Sequence, residues 1–363
     1  MRPDLSLAAA VATLAVHRPD APSVVDDDGS VLTSAELDSA AGALAQVLAD
    51  GGLEAGGRVA WAGRNDPGML ITLLAAQRLG AVFVPLSFRW AETELASALR
   101  HCGAHTVVVH PEHADLAALL ARVSRMGTPV ERWLGWSGPD ATGAGHPLRR
   151  SDPDETTVLL FSSGTTGRPK AARLSHANLW WSARNLEAVL GLRGDDVALA
   201  VAPLCHGGGL NCFVMATLAR GGTVQVRRRF DAARTLADMT SGVTLMFGVP
   251  AMYSAVAREP GFGSADLSGV RAAIVGGAPV SPGLLATYRS AGLELLPSWG
   301  MTELSPAGTL LPRHLVAAKP CSVGWPLPYV ELRLEDVDGA RVVTEPGAVG
   351  ELVARGPQVF ADR

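Results

Sequence analysis

Cysteines, aromatic residues and charge of one sign are all scarce in this chain. Among 363 residues there are four cysteines, Cys102, Cys205, Cys212 and Cys321, and none form a Cys-x-x-Cys pair. That spacing argues against a zinc ribbon or a redox couple, and so few cysteines in so long a chain fit a reducing cytoplasm. Lys+Arg number 31 against 35 Asp+Glu, a net charge of −4. The triplet Arg227-Arg228-Arg229 is isolated and expected at a solvated strand end, so a nucleic-acid surface is not indicated. No uninterrupted apolar stretch reaches the ~18–20 residues that a transmembrane helix needs. The apolar segment from Leu5 to Val16 has only Arg2 before it and His17-Arg18-Pro19 after it, which reads as an N-terminal helix rather than a signal peptide. There is no repeat of 20–50 residues and no low-complexity block. Apolar residues, by contrast, make up 48% of the chain, with a mean hydropathy of +0.20, enough for a large globular core.

Short apolar runs alternate with helical patterns, which implies parallel sheets flanked by helices. Strands are expected at Arg58–Trp61, Val82–Pro85, Thr106–His110, Thr157–Phe161, Val197–Ala200, Thr223–Val226, Val243–Phe247, Ala272–Val275 and Glu294–Leu296. Helices are expected at Ser34–Asp50, Pro67–Leu79, Ala91–Arg100, Asp115–Arg125, His176–Val189, Leu210–Leu218, Ala232–Met239, Pro250–Arg258 and Pro282–Ser290, with Ser34 as the first cap. Gly135–Asp154 is polar and rich in Gly and Pro, and reads as a surface loop. After about Pro306 the runs shorten (Val330–Leu334, Gly350–Ala354), which suggests an antiparallel or barrel-like part.

The segment Phe161-Ser162-Ser163-Gly164-Thr165-Thr166-Gly167-Arg168-Pro169-Lys170 carries the most information. It follows a strand-like run and combines small hydroxyl residues, glycines and a closing lysine. Such a loop can wrap a polyphosphate, because glycines admit the backbone and hydroxyls donate to phosphate oxygens. It is not a Walker A motif, since Pro169 precedes Lys170 and biases the chain to an extended form. Nor is it a Gly-x-Gly-x-x-Gly fingerprint. Three further glycine-containing turns follow strands: Pro203-Leu204-Cys205-His206-Gly207-Gly208-Gly209-Leu210, Phe247-Gly248-Val249-Pro250, and Val275-Gly276-Gly277-Ala278-Pro279. The glycines of the first leave space beside a helix start, whose N-terminus favours an anion.

Ser162 to Lys170 resembles the phosphate loop of the adenylate-forming superfamily, which includes acyl-CoA synthetases, adenylation domains of peptide synthetases and luciferases. Ala171 stands where that pattern has glycine. Ser298-Trp299-Gly300-Met301-Thr302-Glu303 resembles the family's x-Tyr-Gly-x-Thr-Glu, with Trp299 in place of tyrosine, and Cys205 replaces an aromatic residue in Pro-Leu-Phe-His. Ser322–Pro328 and Gly350–Pro357 resemble the barrel segments that follow, and the match runs from about Asp26 to the end.

The resemblance implies two parallel-sheet α/β subdomains and a small distorted β-barrel. Residues 1–50 with 186–305 would make one subdomain, 51–185 a second that carries the phosphate loop, and 306–363 the barrel-like part. It also implies ATP-dependent activation of a carboxylic acid to an acyl-adenylate, followed by thioester formation with coenzyme A. Ser162, Ser163, Gly164, Thr165, Thr166, Gly167 and Lys170 would hold phosphates. Thr302 would contact the α-phosphate and Glu303 a Mg²⁺ ion. Gly276, Gly277, Ala278, Pro279, Ser298, Trp299, Gly300 and Met301 would surround the nucleotide. His206, Gly207, Gly208, Phe247, Val249, Gly277 and Met301 would border the acid, expected to be fatty or bulky and hydrophobic because Gly207–Gly209 leave room for it. The lack of an aspartate near Phe247–Tyr253 to hold an amino group favours a CoA ligase over an amino-acid-activating domain. The family's ribose-binding Thr-Gly-Asp and mobile C-terminal domain lie beyond Arg363, so a truncated large domain is expected. A homodimer is left open. Two alternatives remain: a ligase for the thioester half-reaction alone, and a catalytically silent nucleotide- or acyl-binding homologue.

Overall fold

Fully buried runs of Val, Ala and Leu become the strands of two large sheets. The computed structural model describes residues 2–110, 114–138, 145–162, 170–336 and 342–360. The first sheet has seven strands: β1 (Pro22–Val25), β2 (Val31–Thr33), β9 (Val197–Ala200), β10 (Thr223–Val226), β11 (Leu245–Gly248), β12 (Ala272–Val275) and β13 (Leu295–Pro297). Their spatial order is β13-β12-β11-β9-β10-β1-β2, parallel throughout except for the β1–β2 hairpin. The second has six: β3 (Arg58–Ala62), β4 (Val82–Leu86), β5 (Thr106–Val109), β6 (Arg132–Gly135), β7 (Thr156–Ser162) and β8 (Lys170–Ser175), ordered β6-β5-β3-β4-β7-β8. Here only β7 and β8 run antiparallel.

Helices cover the sheets. They are α1 (Leu7–His17), α2 (Ser34–Asp50), α3 (Pro67–Leu79), α4 (Glu92–Cys102), α5 (Ala114–Ser124), α6 (His176–Leu190), α7 (Gly207–Gly209), α8 (Met215–Arg220), α9 (Ala232–Thr240), α10 (Pro250–Val256) and α11 (Pro282–Ser290). Every residue of α3 is buried, because it packs on β3 and β4 on one side and under α1 and α2 on the other. One apolar cluster draws residues from both sheets, Val59, Trp61 and Phe83 from one and Leu245, Ile274 and Leu295 from the other. Tyr253 is also fully buried, and its hydroxyl donates to the carbonyls of Met246 and Ile274, so its polar end is satisfied inside the core.

Several expectations change. The cap of α2 is Thr33, not Ser34: its Oγ1 accepts from Glu36 N at 3.2 Å and Glu36 Oε2 accepts from Thr33 N at 2.9 Å. The helix expected at Leu210–Leu218 begins earlier, at Gly207, and passes through a π-turn at Leu210–Val214. The Arg227–Arg229 triplet is not wholly solvated. Arg227 is buried and binds Asp238 with two bonds of 2.7 and 2.8 Å, and Arg228 pairs with Asp26 at 2.9 Å. Buried cations persist only with such partners. Within the expected loop Gly135–Asp154, Trp136 packs into the core, and its ring meets Trp61 edge-on at 6.3 Å.

Beyond Pro306 the strands are short and antiparallel. β14 (Thr309–Leu310) pairs with β15 (Trp325–Pro326), and β16 (Glu331–Glu335) lies between β17 (Val342–Val343) and β18 (Glu351–Arg355). These are two separate small sheets, and no closed barrel forms among the described residues.

Candidate functional site

The C-terminal ends of parallel strands converge on one cavity of about 560 Å³. In the seven-stranded sheet the chain leaves β9 to one side for β10 and later returns on the other side as β11. That reversal opens a crevice beyond the strand ends, the usual ligand position in such sheets. Ala202, Pro203 and His206 to Gly209 after β9, Phe247 and Val249 at the end of β11, Gly276 and Gly277 after β12, and Ser298 and Gly300 after β13 all line it. The six-stranded sheet contributes Phe161, Ser162 and Lys170 from its antiparallel edge.

Ser162 and Lys170 are direct partners across β7 and β8, so the two ends of the phosphate-loop motif are held one strand spacing apart. Lys170 stands on an extended strand, as its preceding proline suggested. Ser163, Gly164, Thr165, Thr166 and Gly167 lie outside the described residues. Met301, Thr302 and Glu303 line the same cavity from a short 3₁₀ turn, some 130 residues further along the chain.

Small residues shape this space. A Cβ on Gly300 would overlap the carbonyl oxygen of Pro306, because Gly300 bridges to Ala307 across a tight return of the chain. A Cβ on Gly208 would run into the Phe247 ring, so the absence of a side chain lets that ring approach the helix start. Cys212, one turn beyond Gly208, also faces the cavity; burial pushes its thiol up to about 12. His206 lines the entry. Its imidazole pKa is lowered from the ordinary histidine value, first by desolvation and then by the Arg89 guanidinium.

Not every expected residue reaches the cavity. Trp299 does not line it, although Ser298 and Gly300 on either side do. Its backbone N–H donates to Thr309 Oγ1, its carbonyl accepts from Gly308 and Thr309, and its ring covers Gly308. Ala278 and Pro279 are likewise not part of the lining. The structure adds Phe161, Ala202, Pro203, Gly209, Cys212, Pro306 and Ala307. Of these, Phe161 opens the phosphate-loop segment and Pro203 and Gly209 lie in the triple-glycine turn; the other four lie in no motif singled out from the sequence.

A basic patch adjoins the His206 side. The Arg64 and Arg89 guanidiniums lie 4.7 and 5.4 Å from the centre of the Phe88 ring. Burial, and then the nearby Arg229 and Arg89 charges, lower the Arg64 pKa. Beside this patch, the Trp90 ring meets Phe161 edge-on at 5.3 Å, which ties the segment to the cavity wall.

Thr302, Glu303 and Lys170 suit a polyphosphate with its cation. A Mg²⁺ ion keeps several waters and takes one or two protein carboxylates. Glu303 supplies one, and no cluster of three or more metal-ligating side chains occurs among the described residues. The fit is to a cation carried mainly by the ligand's phosphates.

The AMP-binding enzyme family matches residues 11–362. The chain is 40% identical over 333 residues to a feruloyl-CoA synthase of Amycolatopsis sp, covering 92% of this chain and 66% of that protein. It is 34% identical to an indoleacetate–CoA ligase of Aromatoleum aromaticum, covering 91% and 66%. Among solved structures it is similar to ATP-bound MatB from Rhodopseudomonas palustris, with a TM-score of 0.86, 28% identity, and 99% and 71% of the two chains covered. The chain thus spans slightly under two thirds of the length of these curated relatives. It belongs to the AMP-binding enzymes, the adenylate-forming superfamily that includes the acid–CoA ligases.

Proposed function

We propose that this chain forms the acid- and nucleotide-binding part of a ligase that activates a bulky hydrophobic carboxylic acid with ATP and passes the acyl group to coenzyme A. The observation that carries this reading is the shared cavity. Ser162 and Lys170, Thr302 and Glu303, and His206, Gly208 and Phe247 come from distant parts of the chain to line one space.

In the first step an oxygen of the substrate carboxylate attacks the α-phosphorus of ATP. The bond to the bridging oxygen breaks, and pyrophosphate leaves with its electron pair. The protein's share is positioning and charge neutralisation. Lys170 supplies a cation to the phosphates, Ser162 and Thr302 supply hydroxyl donors, and Glu303 would hold a divalent cation, which would screen the phosphate charge. The backbone at Gly276 and Gly277 leaves room for the flat adenine ring. Phe247, Val249, Ala202 and Cys212 offer an apolar wall to the acid. His206 in its neutral form can hydrogen-bond without adding charge.

In the second step the thiol of coenzyme A attacks the acyl carbonyl and AMP leaves. Arg89 and Arg229 have no carboxylate partner among the described residues. With Arg64 they provide positive charge for the phosphates of coenzyme A. The feruloyl and indoleacetyl groups handled by similar proteins are aryl acids, and an acid of that bulk is the expected substrate.

Hydroxylamine trapping tests this reading. The chain is incubated with ATP, Mg²⁺ and a panel of aryl-propenoic, indole-acetic, medium-chain and long-chain acids. Hydroxamate from a bulky acid, well above that from acetate, is the expected result. Thioester from supplied acyl-AMP and coenzyme A, without hydroxamate, would leave a half-reaction ligase. Tight ATP binding with neither product would leave a silent binder.

A further inference from the structure

One buried side chain of the six-stranded sheet grips the acid-binding half of the cavity and none of the nucleotide half. Asn65 follows β3 and is 5% exposed. Its Nδ2 donates to the carbonyls of Ala200 at 3.2 Å, Ala202 at 2.9 Å and Arg227 at 3.2 Å, and its Oδ1 accepts from Leu204 N at 2.8 Å. Three acceptors share two hydrogens, so at least one of these bonds is bifurcated. Ala200 ends β9, and Arg227 directly follows β10. A single carboxamide from one sheet therefore closes two adjacent strand ends of the other.

We infer that Asn65 is a positioning residue for the acid: it holds the Ala202–Leu204 turn, and through that turn places His206 and Gly208 on the cavity. The inference rests on the acid site proposed above. Few other backbone hydrogen bonds hold the turn, and the Leu204 and Cys205 side chains are buried in the core. Besides Asn65, His206 N donates to the Pro203 carbonyl at 3.2 Å, and α7 begins at Gly207. Asn65 itself stands on a stiff base. The next residue, Asp66, caps α3 by accepting from Gly68 N at 2.8 Å, and its other oxygen lies 2.9 Å from His110 Nε2. Lys170, Gly276, Gly277 and Ser298 to Glu303 hang from other strands and receive no bond from Asn65. A buried carboxamide with every position used orders its surroundings strongly; its loss leaves the carbonyls of Ala202 and Arg227 and the Leu204 N–H to find new partners, while the Ala200 carbonyl keeps its bond from Arg227 N.

The split between the two halves is the test. Calorimetry measures binding of AMP, and of a non-hydrolysable acyl-sulfamoyl adenosine carrying an acid that the wild type traps. Asn65→Ala is expected to weaken the acyl-adenylate mimic by roughly tenfold or more, as loss of one or two buried hydrogen bonds implies, and to leave AMP within about twofold. Leu48→Ala in α2 serves as a control: it removes core packing far from the turn and is expected to lower stability without separating the two ligands. If Asn65→Ala does not fold, Asn65→Asp, which keeps the acceptor for Leu204, takes its place. Hydrogen exchange gives a readout without ligand. In either variant, residues 202–209 are expected to lose protection at least tenfold more than residues 298–303. Equal loss in both segments, or equal change for both ligands, overturns the inference. A wild type that binds no mimic counts against the proposed function, while the exchange comparison still decides the role of Asn65.

Discussion

The two sheets reach the cavity by different chemistry. The seven-stranded sheet contributes mainly backbone: glycines and tight turns at the ends of β9, β12 and β13, placed so closely that added atoms collide with neighbours. The six-stranded sheet contributes side chains, Phe161, Ser162 and Lys170, on an antiparallel edge where the strand does not depend on what the side chain is. The first kind of wall fixes a shape, and the second supplies charge and donors. Substitutions should therefore cost fold and shape in one half, and chemistry without fold in the other.

The largest effect is expected at Gly300. Its substitution by alanine forces a Cβ onto the Pro306 carbonyl, a backbone atom that cannot step aside, and should cost roughly 4 kcal/mol. Denaturant unfolding checks this, and an unchanged midpoint would break the comparison. Next comes His176, buried at the start of α6, just after β8, with its pKa lowered by burial from 6.5 to about 4. Between those values the unfolded chain binds the proton and the folded one does not. Stability is therefore full at pH 7 and falls as pH drops from about 6.5 toward 4, by about 3 kcal/mol at most. His176→Asn should flatten that slope, as urea unfolding at pH 7 and pH 4.5 can show.

Lys170→Ala should reduce hydroxamate formation by about 100-fold, the scale of losing one preorganised charge, with the melting temperature hardly moved. A parallel loss of stability would mean that the six-stranded edge is as shape-bound as the opposite wall. Gly208→Ala pushes on a movable ring rather than on backbone. It should lower the trapping of bulky acids by about tenfold relative to acetate and cost about 1 kcal/mol of stability. The smallest effect is expected from Arg89→Ala combined with Arg229→Ala on the exposed patch. The KM for coenzyme A should rise about threefold, with less salt dependence, while the adenylation rate stays constant.

Much of the fold was legible because parallel strands are buried on both faces and read as short apolar runs. The runs at 197–200, 223–226 and 272–275 match β9, β10 and β12 residue for residue. The hairpin strands β1 and β2 and the edge strand β6 escaped notice, because three- and four-residue strands with mixed burial leave no clear period. The triplet Arg227–Arg229 misled for a related reason: charge alone does not tell whether Asp238 and Asp26, close in sequence to nothing useful, will meet it in space. Trp299 was placed at the nucleotide by its motif, yet its neighbours Ser298 and Gly300 face the cavity and its own ring covers Gly308.

By itself, the sequence carried the marks of its family and the local tools of the site. A phosphate loop ending in Pro-Lys, a Thr-Glu pair and glycine turns after strands are short-range patterns, written in residues that follow one another. Tertiary structure alone decided which of them share a cavity, which ring faces it, and that one asparagine beside the other sheet holds the Ala202–Leu204 turn. The Asn65 contacts join residues 135 or more positions apart, set by how two sheets pack, and no local pattern encodes them.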